Sequence, residues 1–311
     1  MNYDYIETST FVKKDKIYFG DLEPISVNRF GWENFSISLN NNLIQVRYNN
    51  VNNELKIQGS LPKFIEGQNY QNENNKISEA IYILSDTIDF NLFDSTVLCL
   101  ETGITFETMI KPKYIFNSHR KIKGMKTQFY DKGIEFKGSL HNIKFYDAGY
   151  RMKKALSNEI RENLTYNKGY NPQMDYLRFE IKYKKPSHFF RREVIVKCLF
   201  DEKFNKECKI NLMEEYNKIV KTGYYKIPEN KRQCNFETLE WILLCEKGLE
   251  FGFSPEDCLK SLINSIPESN LNKEDKKNRK KKINAIKRKI KANEGSRYDL
   301  SQELKKGLGL Q

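Results

Sequence analysis

Strict alternation of apolar and polar residues marks the clearest strand of the chain. In Asp175–Lys184, the apolar set is Leu177, Phe179, Ile181 and Tyr183, and the polar set is Arg178, Glu180, Lys182 and Lys184. Successive side chains of a strand point to opposite faces of its sheet. The pattern therefore predicts a strand with one buried face and one polar face.

The same alternation, interrupted by helical spacing, recurs in two successive segments. The first predicts strands over Leu43–Tyr48 and Glu54–Leu61, a helix over Ile77–Thr87 and a strand over Thr96–Phe106. The second predicts strands over Met125–Tyr130, Gly133–Leu140 and His141–Asp147, a helix over Arg151–Leu164 and the Asp175–Lys184 strand. Lys56–Phe64 and Phe136–Phe145 also resemble each other, as two copies of one repeat would. We expect an α+β fold: a central antiparallel sheet from two ββαβ-like halves, with helices on one face.

Helical spacing dominates after about residue 200. It predicts helices over Asn211–Thr222 and Phe236–Gly248, a helix starting at Ser254, and a basic helix over Lys273–Ala292. Two domains follow from this change of pattern. Residues 1–200 would form the α+β domain, and residues 201–311 a helical, basic C-terminal region.

Positive charge is concentrated in the last 41 residues. Residues 271–311 hold 14 Lys and Arg against 5 Asp and Glu, a net charge of +9 out of +12 for the whole chain. Such a segment favours a polyanion partner, with Lys280, Lys281, Lys282 and Arg288 as expected DNA contacts. The alternative is a solvated helix that keeps the protein in solution.

We infer the cellular compartment from the spacing of the cysteines and from the first ten residues. None of the six cysteines forms a CxxC pair, and there are only three histidines, so a structural zinc site is not expected. The cysteine spacing does not resemble a disulfide framework, and MNYDYIETST lacks the basic and apolar regions of a signal peptide. We expect a cytoplasmic protein with no membrane association.

Three predicted strands place chemically useful side chains on one polar face. If they are neighbours, that face gathers Glu101, Lys144, Tyr146, Arg178, Glu180 and Lys182. Carboxylates hold Mg²⁺ or Mn²⁺, a tyrosine can attack a phosphodiester, and Lys or Arg neutralise phosphate. The alternative is structural, because any antiparallel sheet with one wet face shows alternating charges.

Four segments in this order resemble phage and plasmid rolling-circle replication initiators, above all the filamentous-phage gene II type and its Bacteroidetes relatives. The segments are Gly59–Asn69 (GSLPKFIEGQN), Val97–Phe106 (VLCLETGITF), Ile143–Lys154 (IKFYDAGYRMKK) and Tyr176–Lys185 (YLRFEIKYKK). They lie within about residues 55–190.

The resemblance implies a metal-dependent enzyme that nicks single- or double-stranded origin DNA and works with host replication proteins. Tyr146 would be the nucleophile that keeps the 5′ end as a phosphotyrosine. Glu101 and Glu180 would hold Mg²⁺ or Mn²⁺. Lys144, Arg178 and Lys182 would face the phosphate or the DNA backbone.

Two departures bear on the choice of tyrosine. Ala148 stands where the family motif has lysine, and Arg151 and Met152 occupy the region of its acidic residue. A second segment, Phe129–Glu135 (FYDKGIE), matches the motif better by letter, so Tyr130 is the second candidate nucleophile.

Two other functions fit the same residues. The chain could bind an origin or other nucleic acid without catalysis, or it could be a structural phage protein with a basic tail. Origin nicking, origin binding without nicking, and assembly into particles without DNA distinguish the three.

Overall fold

Alternating residues form the strands of one large antiparallel sheet. The computed structural model describes residues 2–20, 22–68, 70, 74–221, 240, 243, 255–292 and 298–310. In these residues the strands are β1 (Asn2–Phe11), β2 (Ser26–Val27), β3 (Trp32–Leu39), β4 (Asn42–Asn49), β5 (Glu54–Gly59), β6 (Thr96–Thr108), β7 (His119–Lys121), β8 (Lys126–Tyr130), β9 (Gly133–Lys137), β10 (His141–Asp147), β11 (Asp175–Tyr183) and β12 (Val220–Lys221). The α+β class is confirmed.

Helices connect and cover these strands. They are α1 (Leu61–Glu66), α2 (Asn74–Thr87), α3 (Pro112–Ser118), α4 (Ala148–Ala155), α5 (Asn158–Lys168), α6 (Pro186–Phe189), α7 (Glu202–Asn217), α8 (Pro255–Ser265), α9 (Lys273–Ala292) and α10 (Ser301–Leu308). Short 3-10 turns lie at Lys14–Lys16 and Val196–Phe200.

Ten strands make the main sheet, in the order β2-β3-β4-β5-β1-β6-β11-β10-β9-β8. Each hairpin, β4–β5 and β9–β10, is followed by helices and then by a central strand, β6 or β11, which is the element order expected for two halves. The N-terminal strand β1 lies between β5 and β6 and completes the sheet. β1, β6, β11 and β10 are therefore consecutive neighbours at its centre.

The predicted Arg151–Leu164 helix is divided into α4 and α5. Ser157 between them has an extended backbone, with φ −63° and ψ 160°, and its Oγ accepts a hydrogen bond from the Ile160 N–H at 3.3 Å. A serine in this position caps the N-terminus of a helix, because it satisfies a backbone donor that has no partner within the helix. The chain therefore turns at Ser157 where helical spacing alone predicts continuation.

Helices lie against both faces of the main sheet. Ala148, Met152 and Leu164 of α4 and α5 form a buried cluster with Tyr176. On the opposite face, the ring of Tyr216 in α7 lies 5.9 Å from that of Phe179. Tyr176 and Phe179 point to different faces of β11, so the structure adds a second helical layer to the single layer expected.

The boundary expected near residue 200 differs from the division seen in the structure. The unit that contains the main sheet comprises residues 1–112, 124–218 and 300–311, and the second unit comprises residues 113–123 and 219–299. The sheet unit extends beyond residue 200 because α7 and α10 bury apolar side chains against the sheet. Leu304 and Leu308 of α10 are buried, and Gly307 allows a close approach to Ile104.

The second unit contains α8, α9 and a small sheet of β7 and β12. The basic helix occupies Lys273–Ala292, as predicted. Its predicted DNA contacts, Lys280, Lys281, Lys282 and Arg288, are exposed. The predicted Phe236–Gly248 helix falls outside the described residues. No helix in the described part of the chain is long and apolar enough to cross a bilayer.

Candidate functional site

Glu101 and Glu180 lie on the same face of the sheet, on the neighbouring strands β6 and β11. Glu101 is opposite Lys182, and Glu180 is opposite Gly103. A Cβ atom at position 103 would lie 2.9 Å from the Glu180 Cβ. Glycine at position 103 therefore leaves the space that the Glu180 side chain occupies.

A third carboxylate, that of Asp4 on β1, completes the cluster. Asp4, Glu101 and Glu180 each place one carboxylate oxygen within 4.8 Å of the other two. We call these three residues the acidic cluster. Two of its members were predicted from the sequence and Asp4 was not.

An irregularity in β1 explains why Asp4 reaches this face. Tyr3 is opposite Thr102 and Tyr5 is opposite Glu101, so Asp4 is an extra residue between two consecutive pairs. This is a β-bulge, which interrupts the alternation of side chains. The side chains of both Asp4 and Tyr5 consequently contact residues of the polar face. The tyrosines, threonines, isoleucine and phenylalanine of Asn2–Phe11 were the available signal for this strand.

Burial and mutual repulsion disfavour the charged forms of Glu101 and Asp4. Burial, together with the charges of Glu180 and Asp4, raises the pKa of Glu101 to about 7 against the opposing effect of Lys144. Burial also raises the pKa of Asp4 to about 6, although Arg178 lies beside it. Near neutral pH Glu101 is therefore partly protonated, and a divalent cation that binds there would replace that proton.

Two cations partly balance the acidic cluster. Arg178 is 2% exposed, forms an ion pair with Asp4, and donates from Nε to Glu180 at 3.2 Å. The Lys144 Nζ lies 3.4 Å from Glu180 and 3.8 Å from Glu101. Burial opposes the charged form of Lys144, but Glu101, Glu180 and Glu135 outweigh it and raise its pKa.

Tyr146 lies beside the acidic cluster. It is opposite Arg178 in the pairing of β10 with β11, and so shares the polar face. Burial raises its pKa, with Arg178 opposing this rise and Glu180 and Asp4 adding to it. The Arg151 guanidinium carbon lies 4.0 Å from the centroid of the Tyr146 ring. The phenol is thus protonated at neutral pH and surrounded by the groups of the candidate site.

Tyr130 has a different environment, at the edge of the sheet. It is on β8, 48% exposed, and its hydroxyl donates to Glu135 at 2.8 Å. Glu135 also accepts from Asn142 at 2.9 Å. Because β9 and β10 separate β8 from β11, the structure brings Tyr146, rather than Tyr130, to the acidic cluster.

The expected DNA contacts on the polar face have other partners. Arg178 is buried in ion pairs, which leaves no surface for a DNA backbone and corrects its predicted role. Lys144 pairs with the acidic cluster. The Lys182 Nζ lies 4.6 Å from the Tyr5 ring centroid. The partners of Arg178 and Lys182, Asp4 and Tyr5, come from β1, a strand that the sequence-based expectation did not place beside this face.

The donor set of the acidic cluster suits Mg²⁺ or Mn²⁺. All three ligands are carboxylates, the hard oxygen donors that these ions prefer. The Asp4 Oδ1 atom is buried and has no hydrogen-bond partner in the described structure. A buried carboxylate oxygen of this kind is costly unless something binds it, and a divalent cation would do so. The residues present therefore fit a metal ion.

Comparison with protein-family models finds no match to this chain, and comparison with curated proteins finds no significantly similar sequence.

Proposed function

We propose that this chain nicks DNA to start rolling-circle replication, with Tyr146 as the nucleophile and with Mg²⁺ or Mn²⁺ held by Asp4, Glu101 and Glu180. The observation that carries the proposal is the convergence of three carboxylates from three neighbouring strands on the face that also holds Tyr146. Such a protein would act in the cytoplasm, where replicating DNA is found.

The proposed reaction is a transesterification. The Tyr146 oxygen attacks the phosphorus and the bond to the 3′ oxygen breaks, which leaves a 5′-phosphotyrosine and a free 3′-hydroxyl. A bound divalent cation supplies Lewis acidity toward the phosphate oxygens. The phenol proton passes to Glu180 or Asp4, the carboxylates beside it, and the departing 3′ oxygen takes up one proton in exchange.

Arg178 has a positioning role in this proposal. It is fixed between Asp4 and Glu180 and lies opposite Tyr146 in the sheet. Its charge keeps two metal-binding carboxylates in place. The Lys144 Nζ lies 3.4 Å from Glu180 and 3.8 Å from Glu101, so a bound cation would share these carboxylates with it or displace it.

Nicking of supercoiled DNA tests the proposal. Plasmids that carry the DNA flanking the gene for this chain are incubated with protein and MgCl₂ or MnCl₂, and open-circle product is measured. We expect nicking that EDTA abolishes, that Tyr146→Phe abolishes, and that Tyr130→Phe retains. Loss of nicking only in Tyr130→Phe would identify Tyr130, at the edge of the sheet, as the nucleophile instead. Origin binding without nicking under all metal conditions would overturn the enzyme proposal.

A second candidate function is DNA binding without catalysis. The ion pairs of Arg178 and Lys144 favour it, because they already neutralise much of the acidic cluster without a metal ion. In that case the cluster would only stabilise the sheet. Mn²⁺ would then neither bind nor stabilise the protein, which separates this function from the first.

A further inference from the structure

An exposed aromatic ring lies next to the candidate nucleophile. Tyr150, in the first turn of α4, is 41% exposed. The Asp147 side chain, which follows Tyr146 directly, accepts a hydrogen bond from the Tyr150 N–H at 2.8 Å. The Asp147 N–H in turn donates to the Lys132 carbonyl at 3.0 Å. These bonds fix Tyr150 and the β8–β9 turn beside the end of β10, where Tyr146 is located.

Two lysine ammonium groups lie close to the Tyr150 ring. The Nζ atoms of Lys132 and Lys154 lie 5.0 Å and 5.7 Å from the Tyr150 ring centroid. The Lys154 Nζ is also 3.5 Å from the Tyr150 hydroxyl. Arg151, one residue further, lies over the Tyr146 ring. We call Lys132, Tyr150, Arg151 and Lys154 the α4 patch.

The charge of the α4 patch is largely uncompensated. Within the described part of the chain, neither Arg151 nor Lys154 has a carboxylate within 4.0 Å, and the partner of Lys132, Asp131, is 3.7 Å away with its side chain 86% exposed. Arg178 and Lys144, by contrast, are paired with the acidic cluster. Free positive charge near Tyr146 is therefore found on α4 and the β8–β9 turn.

We propose that the α4 patch binds single-stranded DNA next to the phosphate that Tyr146 attacks, with a base stacked on Tyr150 and flanking phosphates on Lys132, Arg151 and Lys154. Exposed aromatic rings stack any nucleobase, and neighbouring cations neutralise the backbone. The proposal rests on the proposed function for the position of the scissile phosphate. It adds residues that hold the strand, and it predicts little base preference at this subsite.

Binding in EDTA tests this inference apart from catalysis. The full chain is titrated into a fluorescein-labelled oligodeoxythymidine of about 12 nucleotides, and anisotropy gives the dissociation constant. We expect Tyr150→Ala to weaken binding roughly 5- to 150-fold, the range that loss of one base–aromatic stack gives. Tyr150→Trp should retain binding. Tyr166→Ala, at an 84% exposed tyrosine of α5, is the matched control and should bind as the wild type does.

The salt dependence of binding tests the role of the cations. Loss of one phosphate contact in Lys154→Ala should reduce the slope of log affinity against log salt by about 0.7. Lys206→Ala on α7, at an exposed lysine, should leave the slope unchanged. Equal affinity of wild type and Tyr150→Ala, or no binding by the wild type, would overturn the inference. If Tyr150→Ala weakens DNA binding but neither the wild type nor any variant nicks DNA, the α4 patch is confirmed as a DNA-binding site and the proposed nicking function is wrong.

Discussion

Replacing Glu101 by glutamine distinguishes a metal site from a structural ion pair. The substitution keeps the size of the side chain and removes its charge. The pKa of Glu101 is raised from its ordinary value of 4.5 to about 7, because the charged form is buried beside Glu180 and Asp4. The folded protein therefore binds a proton here more tightly than the unfolded chain does. The stability that this proton contributes is full below about pH 4.5 and is lost as the pH rises through about 7.

The size of the effect follows from this pKa. A rise from 4.5 to about 7 corresponds to at most about 3.5 kcal/mol, since one pKa unit is about 1.4 kcal/mol. In metal-free buffer at about pH 8, we expect Glu101→Gln to raise the free energy of unfolding by about 1–3 kcal/mol. At about pH 5 the change should be small. The Lys144 ammonium group still has a carboxylate partner in Glu101→Gln, because its Nζ lies 3.4 Å from Glu180.

Urea unfolding in EDTA, followed by circular dichroism, measures this difference. Glu162→Gln, at an exposed glutamate of α5, is the matched control and should change stability by less than about 0.5 kcal/mol. Adding MnCl₂ should stabilise the wild type and should stabilise Glu101→Gln much less, because a ligand stabilises only the state that binds it. A loss of stability in Glu101→Gln at about pH 8 in EDTA would contradict this expectation. It would show that Glu101 is a structural partner of Lys144.

Three further substitutions test separate parts of the structure. Arg178→Met should lower the free energy of unfolding by about 3–5 kcal/mol at about pH 8, because Asp4 and Glu180 lose their buried counter-charge. A loss below about 1 kcal/mol in urea unfolding would contradict this. Gly103→Ala should weaken Mn²⁺ binding about 10-fold in calorimetry, because the new methyl group displaces the Glu180 side chain. Unchanged Mn²⁺ affinity would show that the acidic cluster tolerates this displacement. Ser157→Ala should cost about 1 kcal/mol through loss of the α5 cap, and an unchanged thermal midpoint would show that the cap is dispensable.

The strands of the two halves were predictable because their alternation is regular. Asp175–Lys184 was expected as a strand, and β11 occupies Asp175–Tyr183. The expected hairpins and the basic helix appear with similar bounds. In each case one periodic face packs against other elements, so local pattern and tertiary structure agree. The same alternation placed Glu101, Tyr146 and Glu180 correctly on one face.

The site was only partly predictable because its third carboxylate depends on a bulge. A regular strand at β1 would place Asp4 and Tyr5 on opposite faces, whereas both reach the polar face. Pairing of β1 with β6 is also a contact across about 100 residues of chain, which local periodicity does not report. The ion pair between Arg178 and Asp4 depends on the same strand. The extension of the sheet unit to α7 and α10 likewise depends on packing rather than on local sequence.

The most direct test of the proposed function is the site of covalent attachment to DNA. The full chain is incubated with MnCl₂ and single-stranded DNA from the nicked origin strand, digested with protease and nuclease, and the peptides are analysed by mass spectrometry. We expect a nucleotide attached to the peptide that contains Tyr146, and no adduct in Tyr146→Phe or in EDTA. An adduct on Tyr130 instead, or DNA binding with no adduct in Mn²⁺, would contradict it.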